Sequence, residues 1–461
     1  MKNHCYVFES KGNYFAFDTC FFYVIKISES QKTLLKKLIE MDENEFYNTT
    51  IYDEGLKYCI KNGLFFSQIV PQKEIREANA FSISFTPTHT CNLRCKYCFA
   101  DHGENYKQEQ KKLTKEIIVA SLNYFKKHIE KHNSMLRIDL VGGGENFLNP
   151  EAISLINKCA KEIYKDVKIW ICTNGTVFND KVKNIVQEKN VSVGISLDGN
   201  KTVNDTNRLN NENESVYEEV IKNVGNFSKE SQNNSNLRNL WGLVVVTKDS
   251  KSLHQILEHH KTVGFASVQM KLVRKKEYGK DEVAKIISLY NQFAKDLVND
   301  IKNEDVTYLK MIINDNDYFG KIIKRLILNQ RVVRRCSAGR SKFSIDAAGN
   351  IYPCDPFVGY KEFILGNVYD EECTVFDSEF YTLSKEKRVP CNKCWAIDIC
   401  GGDCLHNSWI GERNIRINQS SFCVIQKQLI EFALVVFYEL GQMENEFKKV
   451  YHFVSTRDKL V

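Results

Sequence analysis

Three cysteines with chemical potential stand close together in the run Thr90-Cys-Asn-Leu-Arg-Cys-Lys-Tyr-Cys-Phe99, as Cys91, Cys95 and Cys98. Three thiolates at this spacing can hold three irons of a cubic 4Fe–4S cluster and leave the fourth iron without a protein ligand. An iron with an open position can coordinate a substrate or cofactor, whereas a cluster for electron transfer alone normally closes all four positions with cysteine. The other reading of the same residues is a zinc site or a group of buried free thiols. A second set follows: Cys336, Cys354 (five residues after Gly349), Cys391, Cys394, Cys400, Cys404 and Cys423. A zinc ribbon would use the C-x-x-C pairs but leaves three of these seven without a place.

The elements that must position these groups alternate along the middle of the chain. Strands are predicted at Phe81–Thr86, Leu136–Val141, Lys168–Thr173, Val191–Leu197, Trp241–Val246 and Ser267–Leu272, and helical periodicity lies between them. Pro150 and Asn179 stand where helix starts belong. Six β-α units imply a parallel sheet with helices outside, as an open sheet or a barrel, with functional groups at the C-terminal strand ends. Four motifs fall there: the cysteine loop, Val141-Gly-Gly-Gly-Glu-Asn146, Thr173-Asn-Gly-Thr176 and Ser196-Leu-Asp-Gly199, the last followed by Asn204-Asp205 and Arg208. Consecutive glycines let a backbone approach a ligand closely, and Glu145 can accept from an ammonium or amide. Ser196 or Asp198 could bond sugar hydroxyls, and Arg208 suits a carboxylate.

Together these motifs resemble the radical S-adenosylmethionine (SAM) superfamily, with Tyr97 as the aromatic before the last cysteine. The resemblance implies an α/β fold, a partial (β/α)6 TIM-like barrel, and a SAM pocket formed by Tyr97, Gly143, Gly144, Glu145, Asn174, Ser196, Asp198 and Arg208. Asn146 stands where the family usually has proline, and Asn204 where it often has histidine. The later cysteines resemble the SPASM domain, which carries auxiliary 4Fe–4S clusters. Carried across, that likeness assigns Cys391, Cys394, Cys400 and Cys423 to an outer cluster and Cys336, Cys354 and Cys404 to an inner one. The inner cluster then has an open iron, or Cys373 closes it. Three 4Fe–4S clusters and SAM are the implied cofactors.

Residues 1–75 read as a different unit: strands at Cys5–Glu9 and Tyr14–Ile27 around the turn Ser10-Lys-Gly-Asn13, then helices at Glu29–Met41 and Tyr52–Asn62. The layout resembles the winged-helix-like α+β element with which ribosomal-peptide maturases hold a leader, which implies strand addition; the alternative is a stabilising cap on the barrel. The expected domains are 1–75, the barrel 76–325, the SPASM domain 326–430 and a helical tail 431–461. Cys5, Cys20, Cys59, Cys159 and Cys172 are expected to be packing residues.

The 461 residues are 43% hydrophobic and 26% charged, as in a globular chain, and the net charge of +6 is spread out, which argues against nucleic-acid binding. No consecutive apolar run approaches a membrane span and no apolar signal core opens the sequence, so a cytoplasmic protein without a membrane partner is expected. Its thiols would stay reduced there, available to clusters. The resemblance implies hydrogen abstraction from a precursor peptide with a leader, oxidative thioether formation between a Cys sulfur and carbon, and an electron donor of flavodoxin or ferredoxin type. Formylglycine formation, carbon–carbon crosslinking and simple electron transfer are the rival readings.

Overall fold

The computed structural model describes residues 2–67, 80–101, 112–232 and 240–457. At the N-terminus, β1 (Cys5–Ser10), β2 (Asn13–Asp18) and β3 (Tyr23–Ile27) form an antiparallel sheet in that order. The stretch expected as one strand, Tyr14–Ile27, is therefore two. Asp18 breaks it: its fully buried carboxylate accepts from the backbone N–H of Cys20 (2.7 Å) and Phe21 (2.8 Å), and also from Phe65 N–H (2.5 Å). An aspartate that binds the backbone just ahead of it forms a turn. The helices α1 (Glu29–Glu40), α2 (Glu43–Asn48) and α3 (Glu54–Lys61) follow. Sequence reading missed α2, although Asp42-x-x-Glu45 is a reciprocal capping box. The boundary expected near residue 75 lies outside the described residues.

Six parallel strands come next: β4 (Ala80–Phe85), β5 (Met135–Leu140), β6 (Val167–Thr173), β7 (Val191–Ser196), β8 (Leu240–Val246) and β9 (Ser267–Leu272). Between and after them run α4 (Lys115–Lys131), α5 (Pro150–Ile163), α6 (Asp180–Val186), α7 (Lys201–Asn207), α8 (Tyr217–Gln232), α9 (Leu253–Val263) and α10 (Lys280–Lys302). The spatial order equals the chain order, so each β-α unit places its strand beside the one before it. Alternation sends Ile169 and Ile171 outward against α5 and α6, while Trp170 and Cys172 face the lumen. Cys159 is core as expected; Cys172 instead lines the lumen.

The sheet does not end at β4. The outer edge of β4 pairs in parallel with β10 (Lys342–Ile345), followed by antiparallel β11 (Asn350–Tyr352) and β12 (Gly366–Asn367). A nine-stranded sheet thus joins the barrel to the section that carries the second cysteine set. The long helix Ser420–Gly441 packs against α10 and the N-terminal sheet, and it runs unbroken through residue 430, where a domain boundary was expected. By length and mean hydropathy (1.4) it could cross a membrane, contrary to the reading of the sequence; most of it is buried in the core.

Candidate active site

The cysteine loop leaves β4 and is pinned from three sides. Arg94 N–H donates to Leu209 O (2.8 Å) and Lys96 N–H to Asn207 O (3.0 Å), so the loop follows the segment after α7. The glycine loop after β5 lies against its start: Gly144 N–H donates to Thr88 O (3.0 Å) and Glu145 N–H to Thr90 O (2.8 Å). A Cβ on Gly144 would overlap the Thr90 carbonyl, so only glycine permits this approach. The loop after β6 closes the third side, with Asn174 Nδ2 donating to Asn92 Oδ1 (2.8 Å) and Asn92 Nδ2 to Thr176 Oγ1 (2.9 Å).

Several expected site residues turn inward. Glu145 accepts from Thr173 Oγ1 (2.6 Å), Asn174 N–H (2.6 Å) and Phe147 N–H (3.0 Å), and burial raises its carboxyl against those donors. It therefore ties the β5 and β6 loops together. Asp198 is 2% exposed and accepts from Tyr97 O–H (2.5 Å), Arg208 Nε (3.3 Å) and Val245 N–H (3.0 Å). Protein donors thus hold both carboxylate oxygens in place, two on Oδ2 and one on Oδ1. Arg208 lies over the Tyr97 ring at 5.3 Å and donates to Cys95 Sγ at 3.8 Å. Ser196 ends β7, half-buried, on the lumen face. Asn146 is buried and donates to Leu140 O (2.9 Å) and Cys172 O (2.8 Å), stitching β5 to β6, which a proline there would not do.

Cys91, Cys95 and Cys98 face one another, and Leu93 N–H donates to Cys91 Sγ at 3.5 Å. Burial pushes the Cys91 thiol up to about 11 and raises Cys95, which Arg208 opposes. Three neighbouring thiols, with an N–H donor on Cys91 Sγ and a guanidinium on Cys95 Sγ beside a glycine cradle, have the donor chemistry for three irons of a cluster.

The second set gathers as two groups. Cys391, Cys394, Cys400 and Cys423 face one another, with Asn418 Nδ2 donating to Cys391 Sγ (2.6 Å). Burial pushes Cys391 up to about 11 and Cys423 up to about 12. Cys354, Cys404 and the exposed Cys336 form the other group. Cys373 is exposed and lies against Tyr124 of α4, away from both groups. A small cavity opens beside Cys336, walled by Arg334, Arg335, Arg388 and Asp403. Arg388 Nε and Arg335 Nη2 are buried there without hydrogen-bond partners, donors that suit an anionic cluster, and the Asp403 Oδ2 acceptor beside them is also unpartnered.

The lumen between the two regions is polar. Arg137 (2.7 Å) and Lys342 (2.9 Å) both pair with Asp139, and Lys342 reaches Asp355 (3.1 Å), the residue after Cys354. Sequence reading named none of these; the signal was present in the alternation of Arg137 and Asp139 with Leu136 and Ile138.

Residues 85–255 match the Radical SAM superfamily, and residues 336–395 match the SPASM iron–sulfur cluster-binding domain. A cysteine-type anaerobic sulfatase-maturating enzyme of Clostridium perfringens is 23% identical, over 74% of this chain and 93% of that protein. The antilisterial bacteriocin subtilosin biosynthesis protein AlbA of Bacillus subtilis is 23% identical over 69% of this chain and 66% of its own. Among solved structures, native anSMEcpe with bound AdoMet superposes with a TM-score of 0.63 at 20% identity, covering 78% of this chain and 99% of that one.

Proposed function

Because this chain is a radical SAM enzyme with a SPASM iron–sulfur domain, we propose that it oxidises a ribosomally made precursor peptide to a thioether between a Cys sulfur and a carbon. SAM and 4Fe–4S clusters are its cofactors. When bound, the SAM cluster supplies reductive cleavage of SAM to a 5′-deoxyadenosyl radical, which takes a hydrogen atom from the substrate.

The chain's own residues then have these tasks. Cys91, Cys95 and Cys98 hold the SAM cluster. Gly143 and Gly144 let the glycine loop pack directly on the start of the cysteine loop and so bring its backbone to the SAM side. Ser196 and Asn174 face its polar groups, and Glu145, Asp198, Tyr97 and Arg208 keep the loops in place. Cys391, Cys394, Cys400 and Cys423 hold a closed auxiliary cluster, which suits an electron relay, and a flavodoxin- or ferredoxin-type donor supplies the electron that cleaves SAM. Cys336, Cys354 and Cys404 hold an inner cluster as a three-thiol set. That three-thiol set, with Cys373 placed elsewhere, is the observation that carries the thioether reading: it leaves an iron for the thiol of a peptide cysteine. The N-terminal unit supports a leader, because among the described residues no strand pairs with the outer edge of β3, and an extended peptide can add there. The need for reduced thiols favours the cytoplasm.

Formylglycine formation is the second reading, favoured by the sulfatase-maturating relatives. Intact mass after anaerobic turnover of a cysteine-containing precursor separates the two. A thioether removes two hydrogens and blocks one cysteine to alkylation. Formylglycine removes the sulfur, and that result, or an unchanged peptide, overturns the thioether.

A further inference from the structure

Lys271 is a half-buried amine of the lumen to which the reading above gives no task. On β9, Val268, Met270 and Leu272 pack beneath the helices, which turns Ser267, Gln269 and Lys271 to the lumen. Arg137 and Lys342 are already matched to Asp139 and Asp355. Among the described residues the Lys271 amine makes no hydrogen bond and no ion pair. The groups facing it are Cys172 of β6, Arg274, Lys342 of β10 and Arg137 of β5.

Its position relates to both cysteine regions. Cys172 lies two residues before Asn174, which is bound to Glu145 and Asn92 in the SAM-side loops. Arg274, three residues beyond Lys271, lies over the ring of Phe99, next to Cys98, at 4.8 Å, and faces Cys354 and Cys404. Lys271 thus borders the space between the SAM loop and the inner cysteine group, where a substrate has to be to meet both.

We propose that Lys271 is the catalytic base of the reaction, accepting the proton that the peptide loses as it is oxidised. The assignment rests on the peptide-oxidation reading. The balance closes: one C–H and one S–H bond break and one C–S bond forms. A hydrogen atom goes to the deoxyadenosyl radical, one electron to an auxiliary 4Fe–4S cluster, and the remaining proton to Lys271 Nζ. The surroundings favour a neutral amine. Burial, reinforced by Arg274, Lys342 and Arg137 and opposed by Cys172, brings Lys271 down to about 8. A base is most effective when it titrates near working pH.

Two experiments test this. First, reductive 13C-methylation of the full chain and NMR titration should give one lysine resonance titrating near pH 8 that is missing in Lys271→Met. An ordinary value, about 10.4, for that resonance overturns the proposal, whatever becomes of the peptide reading. Second, with SAM, reductant and a cysteine-containing precursor that the wild type modifies, Lys271→Met and Lys271→Arg should both form 5′-deoxyadenosine within threefold of wild type. Both should lose peptide product by about 100-fold or more. Arginine keeps the cation but does not give up its proton. Product restored in Lys271→Arg would make Lys271 a charge only, and loss of deoxyadenosine in both variants would make it structural; either outcome sinks the proposal. If the wild type modifies no peptide, the function reading fails while the titration still judges Lys271.

Discussion

At the scale of single residues, each region makes a separable prediction. Replacing Cys95 by Ala should abolish SAM cleavage yet leave the auxiliary iron in place, lowering the count from about twelve irons to about eight. Deoxyadenosine formation by that variant would void the site. Asn146 donates to two strand carbonyls, so Asn146→Pro leaves both unsatisfied and should lower stability by about 1–3 kcal/mol, read from denaturant midpoints. Asp139 gives a pH dependence. Burial alone would raise its carboxyl, but Arg137 and Lys342 outweigh it and hold it at about 2. The folded value is below the unfolded one of about 3.9, so its contribution of about 2–3 kcal/mol is present above pH 4 and lost as pH falls toward 2. Asp139→Asn should flatten the stability slope in that window; an unchanged slope would contradict the pairing. The cysteines were legible because thiol spacing is explicit in sequence. That Glu145 and Asp198 bind their own protein was not, because their donors come from loops far away in the chain.

At the scale of elements, the six barrel strands fell within a residue or two of their sequence-based positions, since alternation under a helical layer fixes face and register together. The lumen was less legible. Cys172 read as core because a cysteine in an apolar strand looks the same from either face. Asp18 broke a strand through hydrogen bonds to Cys20, Phe21 and Phe65, and the last of these is a tertiary contact that no local pattern announces. The unpaired edge of β3 carries its own prediction. Removing residues 1–67 should leave SAM cleavage intact and lower modification of a leader-bearing peptide by tenfold or more, measured as product per deoxyadenosine. An unchanged ratio would mean that the unit is a cap.

At the scale of the whole molecule, a shared apolar core and a continuous sheet join the three regions, and specific polar and aromatic contacts sit beside them. Tyr6 stacks on Trp395, beside Cys394, with ring centroids 3.7 Å apart, and its hydroxyl donates to Glu431 (2.6 Å). Arg331 reaches from the SPASM side to the Cys20 carbonyl. Tyr6→Ala removes the stack and leaves the Glu431 carboxyl, which burial raises, with only Gln428 as donor. The variant should expose the first 67 residues to limited proteolysis at unchanged iron content; equal resistance would show that the docking rests elsewhere.

The pairing of β4 with β10 also sets a timetable for synthesis. The strand that leads into the Cys91 loop is translated first among the barrel strands, yet its outer neighbour, Lys342–Ile345, emerges after every other barrel strand. At about 5–20 residues per second, the nascent edge of β4 waits on the order of 10–50 s on the ribosome. Until then it is an open template for the wrong strand. Cluster delivery to Cys91, Cys95 and Cys98 therefore meets either a half-built barrel or a finished one, and the cell's iron–sulfur carriers would have to be matched to that interval.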